Sequence, residues 1–197
     1  MGDYNAIYEA GQSLVELFRR EMTPLPISSP EYIGLCTPHE PEDFQLTVWI
    51  YNIEEHNDTG VNSGFAVDPL NMSQERYAPM QLRCHTLISA HSKAPIQTRL
   101  TDEYKIIGRA LQIVRDNPII SPDKLTGSLA NSAAGIQLQY IKLNNDELSK
   151  VWNNANKAIK PSFAVYISSI TIESERIRPI TSRVSSAKIG LVQKKQR

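Results

Sequence analysis

Two short patterns hold the residue types that bind metals or attack carbonyls: Cys36-x-x-His39 and the adjacent pair Cys84-His85. Together they could furnish a Cys2His2 zinc set for a metal hydrolase. Neither follows a zinc-finger spacing, however, and neighbours on a strand point to opposite faces, so Cys84 and His85 cannot easily reach one ion. A Cys–His nucleophilic pair is the other chemistry on offer, but no nucleophile elbow surrounds either cysteine, and strand cysteines commonly serve as small core hydrophobes. The acidic run Glu40, Glu42 and Asp43 has the donors for a hard cation or for acid–base work; it also fits a solvated turn before a strand. The nine glycines are scattered and form neither a phosphate-cradling loop nor a dinucleotide fingerprint. The expectation is therefore a protein with no catalytic residues, no cofactor, no metal and no small-molecule substrate.

Residues suited to binding another macromolecule are easier to find. Trp49 and Tyr51 fall on the second face of a strand whose first face is already apolar, so they suit a partner interface or the underside of a helix. No Lys or Arg interleaves with them within that strand, as base stacking would require. The formal net charge is zero, yet residues 173–197 hold seven basic and two acidic residues, a surplus of +5 that leaves −5 on residues 1–172. Such a cationic arm can serve nucleic acid, a membrane surface or the acidic face of a neighbouring subunit. Its apolar residues Ile177, Ile180, Val184, Ile189, Leu191 and Val192 interleave with the charges, which suits strand addition to another sheet edge. Arg176, Arg178, Arg183 and Lys188 are its candidate contacts.

The elements that must position these residues follow from periodicity. Tyr4–Met22 carries apolar residues at helical spacing, with Asp3 as the expected N-cap, and Thr23-Pro24-Leu25-Pro26 ends it. Tyr32–Cys36 suits a short strand, and Phe44–Ile53 and Met80–Ala90 alternate as two longer ones. Between those two, Glu54–Arg76 is rich in Asn, Asp, Gly and Ser without a sustained period and is expected to be a long loop. Thr101-Asp102-Glu103 is expected to open a helix that ends at Asn117-Pro118; Ile136, Leu138 and Tyr140 make a strand, Asn145-Asp146-Glu147 starts a short helix, and Ser162–Ile172 is the last strand. This order predicts an α+β domain over 1–172, a single mixed, largely antiparallel sheet with about three packed helices, followed by a basic extended tail over 173–197.

With 41% hydrophobic and 21% charged residues the chain has the composition of a globular protein. No stretch approaches the roughly 18 uninterrupted apolar residues of a membrane span, and the first residues lack a basic flank and an apolar signal core, so cytosolic folding and reduced thiols at Cys36 and Cys84 are expected.

Several blocks together resemble the tail-terminator or cap family of contractile, phage-tail-like injection systems of the antifeeding-prophage and virulence-cassette type. They are Tyr4-Asn5-Ala6-Ile7, I-G-L-C-T-P-H-E-P at 33–41, Y-A-P-M-Q-L at 77–82, I-I-G-R-A-L-Q-I-V-R-D-N-P at 106–118, D-E-L-S-K-V-W at 146–152 and R-P-I-T at 178–181. The stretch 59–72 is longer than the family pattern leads one to expect. The resemblance implies a tail-terminator-like fold and a structural subunit that forms a homo-oligomeric ring, a hexamer, on the distal end of the inner tube and sheath. There it would end polymerisation and anchor the last sheath ring, assembled in the cytoplasm as part of a particle that can be released. A nucleic-acid-binding module using the basic tail is the alternative.

Overall fold

The computed structural model describes residues 2–56, 64–131, 134–152 and 158–180. They fall into two compact units: a larger one of residues 1–61 and 79–173, and a smaller one of residues 62–78 and 174–197.

The larger unit is built on a six-stranded sheet. Its strands are β1 (Ile33–Leu35), β2 (Leu46–Glu55), β5 (Met80–Ala90), β6 (Ile119–Ile120), β7 (Ile136–Ile141) and β8 (Ser162–Ile172), in the spatial order β1-β2-β5-β8-β7-β6. β1 runs parallel to β2 and the remaining pairs are antiparallel. Alternation sends Leu46, Val48, Cys84, Ile88, Val165 and Ile167 to one face, where they bury against helix α1 (Ala6–Met22) and helix α2 (Ile96–Asp116). The intervening residues Leu87 and Ala164 point to the other face, beneath the seven-residue helix α3 (Asn145–Val151) and Trp152. The α+β class and the three helices are as the sequence implies.

Two bulges tune the sheet. On β2 the register slips between Ile50 and Asn52, leaving Tyr51 unpaired opposite β5. On β8 the slip lies between Ile167 and Ile170, where Ser169 takes a φ of 65°. The extra residue puts Ile167 and Ile170 on the same core face although they are three apart.

Three local expectations differ. Asp3 does not cap α1; its carboxylate accepts the Asn5 N–H (2.8 Å) and its carbonyl the Ala6 N–H, forming a turn just ahead of the helix. Helix α2 begins five residues before Thr101, because the Pro95 carbonyl accepts the N–H groups of Thr98 and Arg99. Ile96 and Leu100 of that first turn are exposed, so no burial pattern marks it, and the two acids that resemble a first-turn signal have tertiary partners. Asp102 accepts the Ser92 hydroxyl, while buried Glu103 holds Lys160 Nζ at 2.7 Å.

The third difference is the smaller unit. Part of the stretch read as a loop forms β3 (Phe65–Asp68) and β4 (Asn71–Tyr77), joined through Pro69 and Leu70, and β9 (Ile177–Pro179) pairs antiparallel with β4. The described residues thus form two sheets, this second one three-stranded, where the sequence predicts a single one. Its strands bury little, so no apolar alternation betrays them; backbone pairing and an ion pair between Arg76 and buried Asp68 (2.9 Å) hold them instead.

Candidate assembly surfaces

On the face of the large sheet opposite the α1–α2 core the aromatic residues form a connected line. His39 meets Trp49 and Trp152 edge-on with centroids 5.8 and 5.3 Å apart, and Trp49 neighbours Tyr51 at 5.8 Å. Tyr51 then meets His85 at 5.8 Å and His85 meets Tyr166 at 4.7 Å. The line exists because these positions share the face opposite the α1–α2 core, and because the bulge at Tyr51 keeps its ring beside His85. Arg83 closes it, its guanidinium 4.9 Å from the Tyr166 centroid.

Trp49 and Tyr51, singled out from sequence, thus lie side by side with different cover. Trp49 packs toward Trp152 at the end of α3. Tyr51 lines a groove of about 430 Å³ with His85, Ile141, Val151 and Tyr166. Burial there pushes the Tyr51 phenol above its usual range, with Tyr166 and Glu147 adding to the shift. Nothing in the sequence marks Tyr166, since a strand tyrosine carries no spacing signal, whereas His39, weighed from sequence as a metal ligand beside Cys36, packs in this aromatic line instead. A capping box orients α3 over this face: Asn144 accepts the Glu147 N–H and Glu147 accepts the Asn144 N–H, both at 2.8 Å.

The cysteines are placed for packing. Cys84 is buried among the core side chains and its thiol is pushed up to about 11 by burial, while His85 points to the opposite face. Cys36 lies at the end of β1, where its thiol donates to the Glu40 carbonyl. Burial first, then the carboxylates of Glu42 and Glu40, raise its pKa as well. A cysteine nucleophile needs the opposite shift, toward thiolate. Among the described residues no three metal-ligating side chains converge. Of the acidic run, Asp43 is exposed and pairs with Lys93.

In the smaller unit the arginines singled out from sequence stack on aromatic rings. Arg178 lies 4.0 Å from the Phe65 centroid and donates Nε to Glu75 at 2.7 Å. Arg176 lies 5.5 and 5.6 Å from the centroids of Phe65 and Tyr77, which themselves meet edge-on at 5.3 Å. Phe65 is the hub, and it escaped notice within a stretch read as loop. Asp68 is held below the usual carboxylate range by the Leu70 N–H and by Arg76. Arg183 and Lys188 lie outside the described residues.

Comparison with known proteins converges on one architecture. Residues 9–186 match the sequence profile of the Pvc16 N-terminal domain. No curated protein sequence matches the chain. Among solved structures, the sheath/tube terminator of the extracellular contractile injection system PVC, in its extended state, superposes with a TM-score of 0.63 at 12% identity over 97% of this chain and 66% of that one. The tube-terminating cap of the anti-feeding prophage gives a TM-score of 0.57 at 16% identity over 91% of this chain and 59% of that one. The chain therefore spans somewhat less than two thirds of each.

Proposed function

The chain belongs to the Pvc16 N-terminal domain family, and on that premise we propose that it is a structural subunit of the cap that terminates the tube and sheath of a contractile injection system. The observation that carries this reading is the shared fold with a sheath/tube terminator over 97% of the chain. A terminator acts by geometry: it presents the surface that the last polymer ring accepts and withholds the surface on which another ring would add. Such a part needs complementary patches and no reacting groups, in keeping with the raised thiols of Cys36 and Cys84.

In this reading the subunits form a ring of six assembled in the cytoplasm, each using two different patches, since closed rings rest on heterologous contacts. The aromatic face around Trp49 and Tyr51 is one such patch. Residues 1–172 act as the ring-building body and residues 173–197 as the arm toward the sheath and inner tube. Arg176, Arg178, Arg183 and Lys188 supply its charge, Arg being suited to bidentate carboxylate pairing.

The test is co-production with the cognate tube, sheath and baseplate, with particle lengths measured by electron microscopy. Omission of this chain should broaden the length distribution and leave sheaths unanchored at the distal end. Removal of residues 173–197 should leave a folded body but reproduce much of that defect. Particles of normal, uniform length without the chain would end the terminator reading; normal particles from the truncation alone would end only the role of the arm.

A further inference from the structure

The two edges of the large sheet are treated differently. At the β1 edge, Arg19 reaches across from α1 and donates Nε and Nη2 to the Ile33 carbonyl at 3.0 and 2.8 Å, blunting an already short strand. At the far edge, β6 covers only the start of β7, through pairs at Ile136 and Gln137 and a bond from the Leu138 N–H to the Pro118 carbonyl. Tyr140 lies two residues further on, so its N–H and C=O turn the same way as those of Leu138. Among the described residues no strand meets them there.

Beside this open stretch lies a groove of about 450 Å³ between the end of α2 and β7, walled by Leu111, Val114, Pro118, Leu138 and Tyr140. Tyr140 is 56% exposed and Leu111 36% exposed, so apolar side chains stand in solvent next to free main-chain groups. Arg115 lines the same groove, and no ion pair or side-chain hydrogen bond engages its guanidinium among the described residues.

We propose that the α2–β7 groove is an acceptor site for an extended segment of a neighbouring protein subunit, one carrying an apolar side chain with a carboxylate beside it. The segment adds as a strand along β7 and pairs with the N–H and C=O of Tyr140. Its apolar side chain enters the groove between Leu111 and Tyr140, and its carboxylate meets Arg115. The charge selects the occupant: the Arg115 guanidinium favours an acidic segment and disfavours this chain's own basic residues 173–197. The site stands on its own geometry, so its failure would leave the terminator role untouched, and loss of length control would say nothing about this groove.

Three probes test it: a short synthetic peptide alternating valine and threonine around one glutamate, the same peptide with lysine in its place, and a peptide of residues 173–197. Binding is followed by fluorescence anisotropy and by amide exchange of the full chain. The glutamate peptide should bind and slow exchange of the Tyr140 amide by about tenfold, and it should bind about tenfold more tightly than the lysine peptide. Tyr140→Pro removes the outward donor without taking a bond from the β7–β8 ladder and should abolish binding. Arg115→Glu should reverse the charge preference, and it decides the matter if the proline variant fails to fold. No binding of the glutamate peptide, binding that leaves the Tyr140 amide unprotected, or tighter binding of the 173–197 peptide would each overturn the proposal.

Discussion

Gly127 and Glu9 form a contact whose energetics can be worked out atom by atom. Glu9 is a buried carboxylate on α1 that accepts the Ser128 hydroxyl at 2.6 Å and the Leu129 N–H at 3.2 Å, pinning the 3-10 turn Gly127–Asn131 to the helix. Gly127 sits at a φ of 62°, and a Cβ there would stand 2.0 Å from Glu9 Oε1 and 2.3 Å from Cδ. Gly127→Ala therefore incurs about 1–2 kcal/mol for the left-handed backbone. It also displaces the carboxylate, and stranding the buried donor at Leu129 costs about 2–3 kcal/mol. The single variant should lose about 3–5 kcal/mol, a large part of the ~5–15 kcal/mol typical of a domain. Glu9→Ala alone loses the same hydrogen bonds, about 2–3 kcal/mol, and removes the obstacle to a Cβ. The double variant should thus lose about 3–5 kcal/mol instead of the sum, a coupling of about 2 kcal/mol. Urea unfolding of the four proteins, extrapolated linearly, measures this. Additivity within about 0.5 kcal/mol would refute the contact as described.

Two further outcomes follow from the same structure. The His91 pKa is lowered to about 4, first by burial and then by the nearby Lys160, so the folded state holds this ring neutral while the unfolded chain protonates it near 6.5. Its stabilising contribution is full above about pH 6.5 and is lost as pH falls toward 4, on the order of 2–3 kcal/mol. Urea midpoints at pH 7 and pH 4.5 should show this fall, and His91→Gln should flatten it. Arg178→Ala removes both the stack on Phe65 and the bond to Glu75, worth about 1 kcal/mol at this partly exposed site. Amide exchange at Arg76 on β4 should quicken about fivefold while that of β5 stays unchanged.

Much of the large unit is legible from periodicity. Met80–Ala90 alternates, Ser162–Ile172 alternates as far as Ile167, and the structure has strands over those same residues. The small sheet is not legible, since Met72-Ser73-Gln74-Glu75-Arg76 has no apolar face to bury and is held by backbone pairing to β3 and β9. The bulge in β8 leaves a trace, the phase change from Ile167 to Ile170 across two serines, but only the register with Cys84 and Leu82 gives that trace meaning. Of the surface residues, the types of Trp49, Tyr51, Arg176 and Arg178 drew attention from sequence; their neighbours Tyr166 and Phe65 could not, and His39 stood out only for its spacing from Cys36, because the ring contacts join distant segments.

By itself, then, the sequence determines where helices and strands arise, which strand faces are apolar, and which family the blocks resemble, because those are properties of local spacing and residue type. Only the tertiary structure decides that Arg19 blunts one sheet edge while β6 stops short at the other, and that Arg178 turns its charge onto a ring. Those outcomes depend on which separate segments meet, and a hydrogen bond or a ring contact between residues of different segments leaves no period in the chain.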